Sequence, residues 1–409
     1  PAYETVDASE RPATETPTKP MLDTQTPGGI QAVHDPYSAW RFFNFRLYIS
    51  GTLAWTIGGH MLNVVVAWHI YALTNSTTAL AMVGLFQVVP VISLAMFGGV
   101  LADRFNRKHL LIGMVLSRAM CTIALAMISL PWLQIPDWDF LTQFNRDLQF
   151  FAIMLGEKQT TYFHPGLPLM YLMFLAMGVA NALGGPARAS MLPSIIPIQH
   201  FSNAATWNSS VGQLSSMFGP ALGGLLLWVF ADKTYGYSAI YFLSAGCLAV
   251  FITLILFVRY AHEIKKSTEP VLQNILQGLK FVFHRKLILA SISLDMFAVL
   301  LGAATILLPV YATQILHVGP MGFGILRAAP ALGAFAMAMV IAHLPPIRKA
   351  GPALLWSVAG FGAATVIFGL STWFWLSLVA LFLTGAFDDI SVVIRHTLVQ
   401  VLTPNTMRG

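Results

Sequence analysis

The stretch Gly98-Gly99-Val100-Leu101-Ala102-Asp103-Arg104-Phe105-Asn106-Arg107-Lys108-His109 places one acid and three bases in a short polar break between two apolar runs. The run before it covers about 79–102 and the run after it about 110–133. A helix crossing the hydrocarbon core needs about 20 largely apolar residues. Both flanks reach that length. The break therefore reads as a loop between two spans, and the chain as a polytopic, all-α membrane protein.

Composition agrees. The 409 residues are 56% hydrophobic and 10% charged, with a mean hydropathy of +0.69. Soluble domains carry about 25% charged residues, so the bilayer is the expected solvent. The net charge of +6 does not point to nucleic acid, because the bases are spread by loop and not clustered with aromatics. Cys121 and Cys247 both fall within apolar runs and read as small packing residues. No zinc-type Cys/His spacing, phosphate loop or nucleophile elbow is present. The chain is expected to need no metal or cofactor and not to be an enzyme. Residues 1–39 are polar, rich in Thr, Pro, Asp and Glu, and without an apolar core. They read as a disordered tail, not a signal peptide.

Ten stretches qualify as spans: about 47–73, 79–102, 110–133, 167–187, 204–231, 238–259, 287–312, 320–344, 351–371 and 373–396. Lys and Arg orient them. With the N-terminal tail in the cytoplasm, eighteen bases fall in the tail and the cytoplasmic loops. Three (Arg146, Lys158 and Lys233) fall on the opposite side, and Arg118 and Arg327 lie within spans. The expected location is a cell inner membrane, with the 98–109 loop cytoplasmic. After the sixth span, 260–286 carries apolar residues at helical spacing beside Lys280, Arg285 and Lys286. It reads as an amphipathic linker on the cytoplasmic surface. It divides the chain into a six-helix bundle, 40–259, and a second bundle, 287–409.

An internal repeat supports the division. Arg188 precedes Pro197 by nine residues, as Arg395 precedes Pro404, at an offset of 207. The Arg107-Lys108 pair matches Arg348-Lys349 at an offset of 241. The difference, 34, is close to the length of the outward loop at 134–166. Two parallel repeats with one insertion produce this arithmetic. That loop contains Leu148-Gln-Phe-Phe-Ala-Ile-Met-Leu155, too short to span.

With the topology in place, the loop resembles the signature of the major facilitator superfamily at Gly98, Asp103, Arg104, Arg107 and Lys108. Gly219-Pro220-Ala-Leu-Gly223-Gly224 resembles a fifth-span motif associated with export by antiport. Pro186-Ala-Arg188 through Asn203-Ala204, with Leu308-Pro309-Val310-Tyr311-Ala312, is similar to the bacterial branch containing the enterobactin exporter. The resemblance covers about 40–409. It implies two parallel pseudo-repeat bundles and secondary active transport by alternating access. It also implies twelve spans where about ten are read here. The sequence stops at the loop before an eleventh, so two helices are expected to be missing from a fragment.

The resemblance gives Asp103, Arg104, Arg107 and Lys108 a role as a cytoplasmic latch, with Asp103 meeting the N-terminus of an eleventh helix. It also places the first, fourth, seventh and tenth helices around a central cavity. Charges at depth are costly and face a cavity or a partner. Asp295, Asp388 and Asp389 lie inside the seventh and tenth spans. A desolvated carboxylate holds a proton more firmly and exchanges it near neutral pH. These three are the proton-coupling candidates, Asp295 and Asp388 leading. The alternative is a structural ion pair, with Arg118, Arg327 or Arg395 as partner. Arg118 is expected to face an acid, or else an anionic substrate, and Arg327 to snorkel near the outer end. His60 and Asn63, three apart, and Asn181 are the substrate-contact candidates, with Asn208, Gln213 and Gln87 weaker. Interhelical hydrogen bonding is the competing reading. His69 reads as an interfacial belt residue. Gly219, Pro220, Gly223 and Gly224 read as close packing and a kink that serve a gate.

The expected activity is proton-coupled export of a small amphipathic molecule, such as a drug, siderophore or metabolite, by a protein expected to be monomeric. An importer of the same fold, or a sensor or scaffold without transport, are the rivals.

Overall fold

The computed structural model describes residues 35–133, 135–136, 138–157, 164–230, 233–260, 283–284, 289–290, 293–294, 296, 303–343 and 350–402. Side chains at 96, 103, 342 and 396–402 are not among those described. Asp295 and most of the 260–286 linker and the 287–312 span lie outside these residues.

The polar break separates two helices. Helix α2, Thr77–Arg104, ends at extended Phe105, and α3, Arg107–Ile128, begins after Asn106. Asn106 caps α3 by accepting the Lys108 N–H at 2.9 Å, which satisfies one orphan donor of the first turn. The preceding turn is as compact. Helix α1, Phe43–Thr74, stops at left-handed Asn75, whose N–H reaches the Tyr71 carbonyl at 2.7 Å. Ser76 then caps α2 through the Ala79 N–H. Asn tolerates that conformation better than most residues, so a two-residue connection suffices to reverse the chain.

Helix α4, Asp139–Met154, lies in the outward loop, and α5, Leu167–Ile195, opens with Pro168 in its first turn. Then come α6, Phe201–Phe230, α7, Gly236–Phe257, α8, Gly319–His343, α9, Ala350–Leu370, and α10, Phe374–Leu402. A short turn at Leu308–Val310 and a π-type turn at Tyr311–Ile315 precede α8. Among the described residues nine helices are long and apolar enough to cross a membrane: all of these except α4. The fold is all-helical and polytopic, as the hydropathy pattern predicts. Two spans run further than expected. Helix α5 continues to Ile195 and α10 to Leu402, so Arg188, just past the expected end of its span, is helical, as is Arg395, which the expected 373–396 span contains. Charge counting takes a base as a loop marker, and a helix that carries one inside the protein escapes that rule.

Helices α1, α2, α3, α5, α6 and α7 pack on one another: α1 on α6 and α7, α2 on α5, and α3 on α5 and α7. Two apolar clusters fill them. One, toward Asn75, includes Met61, Val65, Ile70, Leu125, Tyr171 and Phe174. The other, toward Arg107, includes Phe45, Ile49, Leu111, Met191 and Phe251. In the second half, α10 packs on α8 and α9, and α8 joins the first half through α6. The outer faces stay apolar, with Leu370 80% and Trp356 77% exposed. Lipid, not water, is the solvent that stabilises such faces.

The two ends of the bundle differ. Trp132, Trp138, Tyr235, Trp373 and Trp375 are exposed near the Asn75 end, the arrangement of an interfacial aromatic belt. Arg46, Arg104 and Arg259 are exposed at the other. His69 is not part of the belt. It is 4% exposed, stacked on Tyr237 at 3.9 Å, with Nδ1 3.0 Å from the Tyr241 hydroxyl. Helix α7 covers this part of α1, which a single-helix reading does not reveal.

Helix α4 packs Phe144 against Phe86 and Tyr171. Beyond it, Glu157 accepts the Thr78 N–H at 2.7 Å and the hydroxyls of Ser76, Thr77 and Thr78 at 2.6, 2.5 and 3.0 Å. A carboxylate at a helix N-terminus also meets the positive end of the dipole. Burial alone would raise the Glu157 pKa, but these hydrogen bonds outweigh it and hold the carboxyl below its usual range. The tether is thus complete at neutral pH and is lost as pH falls through that depressed value. Glu157→Ala should cost about 1 kcal/mol of local capping. It should speed proteolysis within 134–166 and hydrogen exchange of the Thr78 amide at pH 7. Wild-type protein should acquire the same exchange rate only in acid.

Candidate functional site

The fifth-span motif lies in α6 and faces two helices at once. A Cβ on Gly219 would stand 2.5 Å from the His60 Cβ and 3.1 Å from the Ile57 carbonyl, and one on Gly223 3.2 Å from the Met61 carbonyl. Both contacts are with α1. Gly224 instead faces α8, where a Cβ would stand 2.5 Å from the Gly324 Cα and 2.9 Å from the Pro320 carbonyl. Gly324 meets Gly224 and the Pro220 carbonyl in the same way. Small residues let two backbones approach in a bilayer, so this motif joins the two halves. Around it Trp68 lies tilted against Phe323 with ring centres 5.4 Å apart, and Gln314 Nε2 donates to the Tyr71 hydroxyl at 2.6 Å. Gln213 Nε2 donates to the Ala331 carbonyl at 3.0 Å. The halves are closed together toward the Asn75 end.

Deeper in the bundle, three bases lie within the helices. Arg118 of α3 donates from Nη1 to Asn181 Oδ1 of α5 at 2.6 Å. Its Nη2 lies 3.8 Å from where a Gly59 Cβ would be, and its buried Nε has no hydrogen-bond partner. The expected acid is absent among the described residues: an amide, not a carboxylate, takes this guanidinium. Arg188 of α5 lies over the Trp55 ring with Cζ 4.3 Å from its centre. Arg327 of α8 donates from Nη1 to the Thr305 carbonyl at 2.9 Å. It is therefore engaged inside the protein and does not snorkel. Asn63 is exposed and has no described contact with Asn181, so the three substrate-contact candidates do not form one cluster. Asn208 and Gln87 are half-buried.

The described acids of the second half make no described contact with these bases. Asp388 and Asp389 lie fourteen and fifteen residues into α10, about 21 Å along the helix at 1.5 Å per residue. One turn earlier Gly385 lies against the Pro330 backbone, and Gly333 against the Phe382 carbonyl, with no room for a Cβ at either. This crossing fixes α10 against α8 and carries Asp389 on the same side as Gly385. Asp389 Oδ2 is buried with no hydrogen-bond partner. Neither acid is paired with a described base. Arg395 donates from Nε to the Ser391 carbonyl at 3.3 Å, within its own helix.

At the polar break, Gly98 of α2 leaves no room for a Cβ against the Ala182 carbonyl of α5. Arg104 is exposed, and Arg107 is the first residue of α3. Lys108 meets a different helix end: its Nζ donates to the Leu256 and Val258 carbonyls at 2.8 Å each. These belong to the C-terminal turn of α7, where a cation is favoured. Asp103 is placed in the last turn of α2, but its side chain and the Arg348-Lys349 pair lie outside the described residues. A separate furrow of about 530 Å³ between α3 and α5 is apolar apart from His109 and Ser117. None of the charged candidates lines it.

Three features escape the sequence reading. Arg188 is hidden by its place near a span end, although Trp55 at a similar level of α1 is a signal that a base has a partner there. Glu157 has no local pattern, because its partners are about eighty residues away. Gly324 has a readable signal in Met321-Gly322-Phe323-Gly324, where small residues at the start of a span announce close packing.

Comparison with known proteins gives this geometry a setting. The family profile described as Major Facilitator Superfamily matches residues 47–409. The enterobactin exporter EntS of Citrobacter koseri is 27% identical over 351 residues, covering 85% of this chain and 75% of that protein. Among solved structures, a bacterial homologue of the human lysosomal transporter Spinster, inward-facing and occupied, matches with a TM-score of 0.60 at 14% identity. That match covers 91% of this chain and 77% of the other. The inward-open xylose transporter XylE from E. coli matches at 0.59 and 13% identity, covering 90% and 85%.

Proposed function

The chain belongs to the Major Facilitator Superfamily, a family of membrane transporters, and from that premise we propose that it is a proton-coupled exporter of a small amphipathic molecule, a drug, siderophore or metabolite. It works as a monomer in a bacterial inner membrane, with the 98–109 loop and the N-terminus cytoplasmic. The basic end and the aromatic end of the bundle support this orientation. The relative named as an enterobactin exporter supports the direction of transport.

One observation carries the coupling: Asp389 Oδ2, deep in α10, is buried without a donor. A buried carboxylate oxygen lacking hydrogen bonds is costly, and a proton is the ligand that relieves it wherever water reaches the site. Asp388 beside it, and Asp295 in the seventh span, complete the candidate set. The α6–α8 glycine contact is the hinge of the gate. With the halves closed toward the Asn75 end, the cargo site opens toward the basic, cytoplasmic end. Proton binding from outside and release inside then alternate with the rocking of the two halves. The basic turn at Arg104, Arg107 and Lys108 latches the opposite state.

The full chain in proteoliposomes, with an inwardly directed proton gradient set against outwardly directed cargo, tests this. Rhodamine 6G and ethidium serve as amphipathic probes. Flux should rise when the gradient is imposed and fall when a protonophore collapses it. Flux indifferent to the gradient would defeat the coupling, and gradient-driven movement in the proton's own direction would make the protein an importer.

A further inference from the structure

Two guanidiniums lie along α1 with no acid to balance them among the described residues. Arg118 of α3 reaches Gly59 of α1, and Arg188 of α5 lies over Trp55, about one turn earlier on the same helix. Neither is ion-paired among the described residues. A guanidinium carries five N–H donors. Arg118 uses one on Asn181 and keeps a buried Nε without a partner, and Arg188 lies on the face of Trp55. Most of their donors are left over. Charges held in hydrocarbon are rare unless a partner or a water-filled path repays their desolvation. The missing partner here is negative, and it is not supplied by the described protein.

We propose that this pair is the binding site for the acidic group of the cargo, so that the transported molecule is an organic anion with a flat apolar body. The proposal rests on the transport reading above and names its substrate class. The anionic group takes the free donors of Arg118, which is the geometry planar guanidiniums serve best. The flat body lies on the Arg188 plane, which buried Trp55 backs at 4.3 Å, so that a flat face and a charge are presented together.

The test uses the purified full chain and two probes of one shape, 2-naphthoate and its uncharged amide, 2-naphthamide, with binding read by equilibrium dialysis. Naphthoate should bind about ten- to a hundredfold more tightly, the usual worth of a hydrogen bond to a charged group. Arg118→Gln and Arg188→Gln should each lower naphthoate binding toward that of the amide and leave the amide unchanged. Arg188→Lys keeps the charge and should keep most of the preference, which separates recognition from misfolding. Equal affinity for the two probes, no naphthoate binding at all, or equal losses of both probes in the Gln variants would each overturn the proposal. Binding is read without a gradient. A protein that prefers naphthoate but ignores the proton gradient upholds this inference and sinks the pump. One that pumps rhodamine 6G but shows no preference does the reverse.

Discussion

Gly224→Leu is expected to abolish transport and to destabilise the folded chain. The reason is spatial. A single Cβ at this position would already stand 2.5 Å from the Gly324 Cα, with the Gly324 nitrogen and the Pro320 carbonyl at 2.9 Å. Those atoms are backbone and cannot swing away. A leucine must separate α6 from α8, the packing that joins the two halves among the described helices. Overpacking costs about 1–3 kcal/mol. Since 1.4 kcal/mol is tenfold in an equilibrium, the closed arrangement should lose about five- to a hundredfold in population. Thermal unfolding followed by size-exclusion chromatography reads the first effect, and probe flux the second. Gly223→Leu provides the comparison, because Gly223 faces Met61 and Val64 of α1 and not the other half. It should lower stability while shifting the open and closed populations less.

Asp389→Asn is expected to remove gradient-driven flux while leaving exchange of cargo at equal concentrations intact. The amide keeps the shape and cannot carry the proton. The amide is also uncharged, so its burial costs less than that of a carboxylate, and the protein should fold at least as well. Loss of both fluxes together would mean that Asp389 is structural. Asp388→Asn should weaken coupling less, because the orphaned oxygen belongs to Asp389. Both readouts come from the same vesicles, with a pH-sensitive dye trapped inside to follow the protons.

Much of this was legible in the sequence, and the rest was not for physical reasons. The 98–109 break announces two helices because hydrocarbon admits so few alternatives. Asp388 and Asp389 stand out because acids are costly at that depth. The spacing of Gly219, Gly223 and Gly224 predicts close packing, but it does not say that the first two face α1 and the third faces α8. That division depends on where a helix is rotated, and neighbours set the rotation. Arg188 shows the limit of charge counting. It was read as a loop base, yet it stands on Trp55 inside an extended α5. Arg118 shows the limit of pairing by charge, since Asn181 takes it where an acid was expected. Glu157 is the clearest case of a long-range contact: the helix start it caps is readable, and its own part in the cap is not.

In the proposed coupling, protons move the two halves at their Asn75 end. Spin labels at Lys233, after α6, and Met321, in the first turn of α8, report the distance across that end in a chain with Cys121 and Cys247 replaced by alanine. Double electron–electron resonance should show a short and a long population whose ratio changes between pH 5 and pH 8, and Asp389→Asn should freeze that ratio. A single distance, the same at every pH and in the variant, would contradict the account.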